Sequence, residues 1–320
     1  MVNEVPVVKP AIKVVNAGLQ CLLQDKGRLG VGQSGLSQGG AADEHASHWA
    51  NYLLGNSSNF VVIEIALGLA EFEALIPVQL SITGANGKAT INGQTLTNWS
   101  NFQALPGDRI KFAGCANGQG RFCYLAINNG FQVTPTLGSA STVVRNRLGG
   151  LNGGALQQGD SLSAFECPDF SFYTRKVPEQ FIPDYTQPLK LNLIEGYQHK
   201  LFSIQSMRHF YSQDFQVSSR SDRMGFQLEK GRIQLPDNLT GIISEGIALG
   251  AVQIPADGQP IILMQDRQTL GGYPKIGCIS RQSLSQLAQR QPGSSVSFTP
   301  VSLEQAQAEW LVFNRFFSSS

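Results

Sequence analysis

Charge is scarce in this 320-residue chain. Only 15% of its residues are Asp, Glu, Lys or Arg, and 24 basic against 23 acidic residues leave a formal charge of +1. So balanced a chain projects no long-range field, and neither nucleic acid nor an anionic membrane is an expected partner. Long apolar runs are missing as well, none approaching the roughly 20 residues that span a bilayer. Met1 to Pro10 has one lysine and alternates Val with Pro, which is neither the charged start nor the apolar stretch of a signal peptide, so a cytoplasmic location is expected. Cysteines are few and odd in number. Cys21, Cys115, Cys123, Cys167 and Cys278 each sit in or beside an apolar run, the pattern of buried free thiols rather than of disulfides or metal ligands. His45, His48, His199 and His209 lack metal-ligand spacing, so no metal is expected. No Gly-x-Ser-x-Gly elbow supports a triad hydrolase, and no Walker sequence supplies a phosphate loop, so any ATP would need another cradle.

What is present is β-structure. Hydrophobic residues make up 42% of the chain, and its length is enough for about two cores. Most apolar runs are short and bounded by Gly, Pro, Asn or Asp, which predicts strands at Leu19–Leu23, Val61–Ile65, Val78–Thr83, Arg109–Phe112, Phe122–Ile127, Ile247–Ile254, Pro260–Met264 and Ser295–Phe298. Asn92-Gly93 predicts a hairpin, because both residues tolerate positive φ. Helical spacing appears in Asp43–Leu54, Arg281–Gln289 and Leu303–Phe317, with Ala46, Trp49, Ala50 and Leu53 on one face of the first. The fold class expected is mainly β with a few helices that cap or plug it. The Pro-rich stretch from Cys167 to Pro188 is read as a linker between an N-terminal domain, residues 1–170, and a C-terminal one, residues 188–320.

Four segments could carry chemistry. Gln24, Asp25 and Arg28 open a glycine-dense stretch whose backbone can approach a ligand; a surface loop in which Asp25 and Arg28 merely pair reads equally well. Ser139 and Ser141, within Gly138-Ser139-Ala140-Ser141-Thr142, offer hydroxyls to an anion or amide, or form a flexible loop. Arg220, Asp222 and Arg223 cluster within four positions, where arginine forks suit phosphates and carboxylates and Asp222 could orient one; a solvated ion-pair cluster is the alternative. Finally Gln253 lies within a predicted strand and Gln265, Asp266, Gln268, Thr269 and Tyr273 follow another, so amide side chains able to give and accept hydrogen bonds stand where rigid scaffold meets solvent.

Taken in order, these segments resemble the KipA/PxpC family, the allophanate hydrolase subunit 2-like proteins. The resemblance rests on Gln24-Asp25-x-Gly27-Arg28-x-Gly30, Ala50-Asn51-x-Leu53-Leu54-Gly55-Asn56, Glu64, Gly138-Ser139-x-Ser141-Thr142, Gly159-Asp160, Ser221-Asp222-Arg223-Met224-Gly225, Gln253-x-Pro255-x-Asp257-Gly258 and Gly271-Gly272-Tyr273-Pro274, and it covers residues 12–301. It implies two cyclophilin-like β-barrel domains in tandem and a KipI/PxpB-like partner. With a lactam-opening, PxpA-like subunit the three would form an ATP-dependent 5-oxoprolinase that hydrolyses 5-oxoproline to glutamate, this chain being inactive alone. Under the same resemblance Asp222, Asp266 and Arg223 are the catalytic candidates. Arg220 becomes an anion binder, Gln253, Gln265 and Gln268 amide readers, and Thr269, Tyr273, Gln24, Asp25, Arg28, Ser139 and Ser141 further substrate contacts. Related domains act with biotin as the carboxyltransferase of urea carboxylase, and a regulator that binds a KipI-like kinase inhibitor is a third implied role. Family members often carry Arg where this chain has Ala140 and Gly154, and Thr where it has Leu270, which removes two cations from any anion site. The reading requires the Arg220/Arg223 loop and the Gln265–Tyr273 loop to converge at the mouth of the C-terminal barrel and frame a common polar cavity.

Overall fold

The short apolar runs fold as strands that gather into two compact units, neither continuous in sequence. One comprises the chain up to Arg28, Gly39–Asp184 and the residues from Phe316; the other comprises Leu29–Gln38 and Tyr185–Arg315. The computed structural model describes residues 7–166, 173–236, 239 and 241–318.

In the first unit the strands are β1 (Val8–Ala17), β2 (Gln20–Gln24), β3 (Val62–Ala66), β4 (Ala70–Ala74), β5 (Val78–Gly84), β6 (Thr90–Ile91), β7 (Gln94–Thr95), β8 (Ser100–Ala104), β9 (Arg109–Lys111), β10 (Phe122–Ile127) and β11 (Ser161–Phe165). They form a six-stranded sheet in the order β11-β1-β4-β9-β6-β7 and a five-stranded sheet in the order β2-β3-β10-β5-β8. Side chains alternate along each strand, so Ile12 and Val14 of β1, Phe72 of β4 and Ile110 of β9 turn into one core with Ile63, Leu80 and Leu125. The Asn92-Gly93 hairpin forms as expected, with φ of 49° and 83°, joining β6 to β7. Helix α1 (Glu44–Leu53) starts at Asp43, whose side chain accepts from the Ala46 N–H, and buries Ala46, Trp49, Ala50 and Leu53. Ser81 and Thr83 of β5 donate to the Ala50 and Ala46 carbonyls at 2.6 and 2.7 Å, which seats this helix on the five-stranded sheet.

The second unit contains β12 (Leu189–Glu195), helix α2 (Ile204–Ser212), β13 (Phe215–Val217), β14 (Gly225–Glu229), β15 (Glu245–Gly246), β16 (Ala251–Gln253), β17 (Ile261–Leu263), β18 (Leu270–Gly271), β19 (Lys275–Ile279), helix α3 (Arg281–Ala288) and β20 (Ser295–Pro300). Seven of these strands close a barrel in the order β12-β19-β16-β17-β14-β13-β20, with β20 parallel to β12. Strands β15 and β18 make a separate ribbon. Phe210, Phe215 and Phe298 cluster with ring centroids 4.4 to 5.7 Å apart; each buried aromatic contributes about 1.5–3 kcal/mol relative to exposure. Helix α4 (Leu303–Ser318) ends the described chain.

The mainly β class with a few helices is therefore what the chain forms. Several details differ from expectation. The strand predicted over Ile247–Ile254 shrinks to β16, because Gly250 has a φ of 81° and a side chain there would meet the Ile279 carbonyl at 2.7 Å. Helix α2 was not foreseen, although Ile204, Met207, Phe210 and Tyr211 recur at helical spacing after the Ser203 cap. Of the thiols expected to be buried, Cys21 and Cys123 are, whereas Cys115 and Cys278 are only partly covered; Cys167 lies outside the described residues. The expected domain ranges, 1–170 and 188–320, run consecutively, while the observed units exchange residues 29–38 and 316 onward and divide at Asp184–Tyr185. Residues 167–172 of the expected linker lie outside the described part. The stretch after them packs in the first unit, with Val177 buried and Asn101 bonding the Tyr173 carbonyl and the Arg175 N–H.

Candidate functional site

In the second unit the two loops touch through Arg223 and Asp266, and the cavity described below is lined by other residues. The Arg223 guanidinium grips the Asp266 carboxylate with two bonds, Nε to Oδ2 at 2.9 Å and Nη2 to Oδ1 at 3.0 Å, and both side chains are at least nine-tenths buried. The backbones lock as well, Asp266 N–H to the Arg223 carbonyl at 2.8 Å and Met264 N–H to Met224 at 3.0 Å. Arginine presents this planar fork and lysine cannot, which explains the residue type. The pair engages Nε and Nη2 of Arg223 and both carboxylate oxygens of Asp266. Asp222 is exposed and its Oδ1 accepts from the Met224 and Gly225 N–H groups at 2.8 and 3.2 Å, closing a local turn. Arg220 is exposed beside it.

The Gln265–Tyr273 loop is graded in depth. Gln265 is buried, Gln268 and Thr269 are half-buried, and Tyr273 is exposed. Ser37 fastens the loop from below by donating to the Arg267 and Asp266 carbonyls at 2.8 and 3.2 Å. Arg267 donates to the Ile247 carbonyl at 3.2 Å, and burial lowers its pKa. Gln253 on β16 is 1% exposed, and its Nε2 has no hydrogen-bond partner among the described residues.

The remaining sequence-predicted residues lie in the first unit and hold one another. Asp25 accepts from Gly27 N–H, from the Ser139 and Ser141 hydroxyls at 2.6 and 2.5 Å, and from Ala140 N–H at 2.7 Å. Arg28, 1% exposed, donates to the Thr136 and Ser139 carbonyls. Gln24 donates to the Thr142 carbonyl and accepts from Gly40 N–H. Two loops more than a hundred residues apart are thus clipped together, and each of these polar groups is engaged by the protein itself. Gly149 completes the clip: its φ is 69°, and a side chain there would stand 2.0 Å from the Ser141 carbonyl.

A third constellation was not foreseen. In the second unit a cavity of about 260 Å³ is lined by Tyr197, Gln198, Glu245, Ala251, Lys275 and Cys278, among others. Glu245 receives Gln198 Nε2 at 2.8 Å, the Tyr197 hydroxyl and the Lys275 ammonium. Gln198 is oriented by the Lys275 backbone N–H, which donates to its Oε1 at 2.9 Å, and its Nε2 also reaches the Tyr197 hydroxyl at 3.0 Å. The Lys275 ammonium, first among several donors, holds the Glu245 carboxyl below the usual range, while Glu245 as acceptor raises the Tyr197 hydroxyl. A signal did exist: Lys275 opens the otherwise apolar Lys275-Ile276-Gly277-Cys278-Ile279, and an ammonium on a barrel strand demands a partner. That partner is 30 residues away in sequence, so no local motif marks it.

Residues 34–300 match the family model described as carboxyltransferase domain, subdomain A and B. The chain is 34% identical over 295 residues to the C component of 5-oxoprolinase from Escherichia coli (strain K12), covering 92% of this chain and 93% of that one. It is 30% identical over 319 residues to a putative urea carboxylase of Emericella nidulans, covering 96% of this chain but 26% of that larger protein. Among solved structures, Kluyveromyces lactis urea carboxylase superimposes with a TM-score of 0.86 over 96% of this chain and 29% of its own; at 23% identity this is a likeness of fold.

Proposed function

Since the chain belongs to the carboxyltransferase-domain family of subdomains A and B, we propose that it acts as the C component of a heteromeric, ATP-dependent 5-oxoprolinase, together with a KipI/PxpB-like subunit and a PxpA-like, lactam-opening subunit. The observation that carries this reading is the end-to-end correspondence with a protein of that name: more than nine-tenths of both chains align, so the two correspond as whole units. The site chemistry supports it. A lactam carbonyl is a poor electrophile, and a pocket that offers hydrogen-bond donors to its oxygen is the environment such a substrate needs.

ATP is assigned to the assembled complex. Phosphorylation of the lactam oxygen is the chemistry it supplies there, making the ring open to water. Of the arginines expected to bind anions, Arg223 grips Asp266, Arg28 is directed at backbone carbonyls, and Arg220 is exposed. The part assigned to this chain is to bind and orient the amide.

The test is reconstitution. Mixed with its cognate partners, the chain should give ATP hydrolysis that depends on 5-oxoproline and yields glutamate, with neither activity from this chain alone. A complete mixture that forms but stays inactive overturns the proposal. One observation favours a second reading, a biotin-dependent carboxyltransferase component acting on urea or another amide: the chain is also similar to a putative urea carboxylase over nearly its whole length. Carboxylation that requires a biotinylated carrier, with no response to 5-oxoproline, would select it.

A further inference from the structure

The cavity beside Lys275 has an asymmetric supply of hydrogen-bonding groups. Glu245 is the one partner of Lys275 Nζ among the described residues, and Nζ is otherwise buried, so two of its three N–H groups lack acceptors. Acceptors are nearly used up. Glu245 Oε1 takes both Gln198 and Lys275, and Oε2 takes the Tyr197 hydroxyl, which leaves Oε2 one lone pair. Unmet donors in a buried setting carry a penalty that an incoming acceptor removes. The remainder of the lining, Ala248, Ala251 and Gly277 among it, is small and apolar.

We infer that this cavity is the binding site for a small amide whose C=O and N–H lie on the same edge, a lactam, a urea or a primary amide. The carbonyl oxygen accepts from Lys275, and the N–H donates to Oε2 of Glu245. A neutral amide group fits because the Lys275–Glu245 pair already balances charge. Ordinary peptides do not: a secondary amide in an open chain is trans, with C=O and N–H on opposite sides, and turning it cis costs about 2.5–4 kcal/mol. The site thus separates lactams from peptide bonds by geometry alone. This deepens the 5-oxoprolinase reading by naming where the amide is held, but its test does not require turnover.

The experiment is ligand-observed NMR on the full chain, alone and with its KipI/PxpB-like partner, using 2-pyrrolidinone, 5-oxoproline and urea as probes. N-methyl-2-pyrrolidinone, which lacks the N–H, and N-methylacetamide, which is trans, are the comparison compounds. The first three should bind and compete with one another, and the methylated pair should bind at least tenfold more weakly. Lys275→Met should weaken 2-pyrrolidinone about tenfold or more, as loss of a charge-assisted bond does, and Ala248→Leu, which narrows the cavity from its lining, about three- to tenfold. Ala248 is exposed, so Ala248→Leu is expected to fold and decides the matter should Lys275→Met prove unstable. Binding of 2-pyrrolidinone should also shield Cys278, on the cavity wall, from a small thiol reagent read by mass spectrometry. Equal affinity for the methylated compounds, undiminished binding in both variants, or no binding to the wild-type chain in either form overturns the assignment. An active reconstituted enzyme whose variants keep full affinity would reject this site and leave the 5-oxoprolinase reading standing; the affinity pattern above without reconstituted activity would do the reverse.

Discussion

At the scale of single residues, Arg223 and Asp266 show how a motif that looks reactive can be engaged internally. A buried ion pair is weak evidence of added stability, but removing one member leaves the other charged and desolvated. Asp266→Asn should therefore destabilise the protein by about 3–5 kcal/mol in urea unfolding, and pairing Arg223→Met with Asp266→Leu should recover most of the loss. A single variant as stable as wild type would mean that water reaches the pair. The same logic separates Asp25 from an open binding residue, since four donors already converge on its carboxylate.

At the scale of elements, helix α1 carries a titration. His45 lies among aromatic neighbours, its Nε2 accepting from Trp49 Nε1 at 3.2 Å with the Trp99 ring centroid 5.7 Å away, and burial lowers its pKa from 6.5 to about 4. An imidazole with a depressed folded-state pKa stays neutral while the unfolded chain takes up a proton. The stability it contributes is complete above pH 6.5 and is lost as pH falls toward 4. Denaturation midpoints measured from pH 7 to pH 4 should decline, and His45→Gln should flatten that part of the profile. An unchanged slope in the variant would assign the decline to carboxylates.

At the scale of the whole molecule, the discontinuity of the two units matters more than their number. Residues 29–38 belong with the second unit, and Ser37 holds the loop that carries Asp266. A fragment spanning 185–318 should unfold with poor cooperativity, while the same fragment fused through a flexible linker to residues 29–38 should show a sharper transition at higher denaturant. Identical transitions for the two would deny the segment its structural part. The family match and the barrel constrain what this molecule can be; its place in an assembly is a matter for the reconstitution described above.

By itself the sequence determined the local structure. Asn92-Gly93 required a hairpin, because few residues accept consecutive positive φ. Asp43 required a helix start, because its carboxylate satisfies a free N–H. Short apolar runs between turn residues required strands, and ordered motifs marked the family. Tertiary structure alone decided which of the polar residues are available. Asp25 meets Ser139 and Ser141 across more than a hundred residues, Arg223 meets Asp266 across 43, and Tyr197, Glu245 and Lys275 meet around a cavity that no local pattern announces. The reason is physical: a turn or a cap is settled by the conformational preferences of adjacent residues, whereas the partner of a buried polar group is chosen by strand register and barrel closure, which bring together positions that the chain itself keeps far apart.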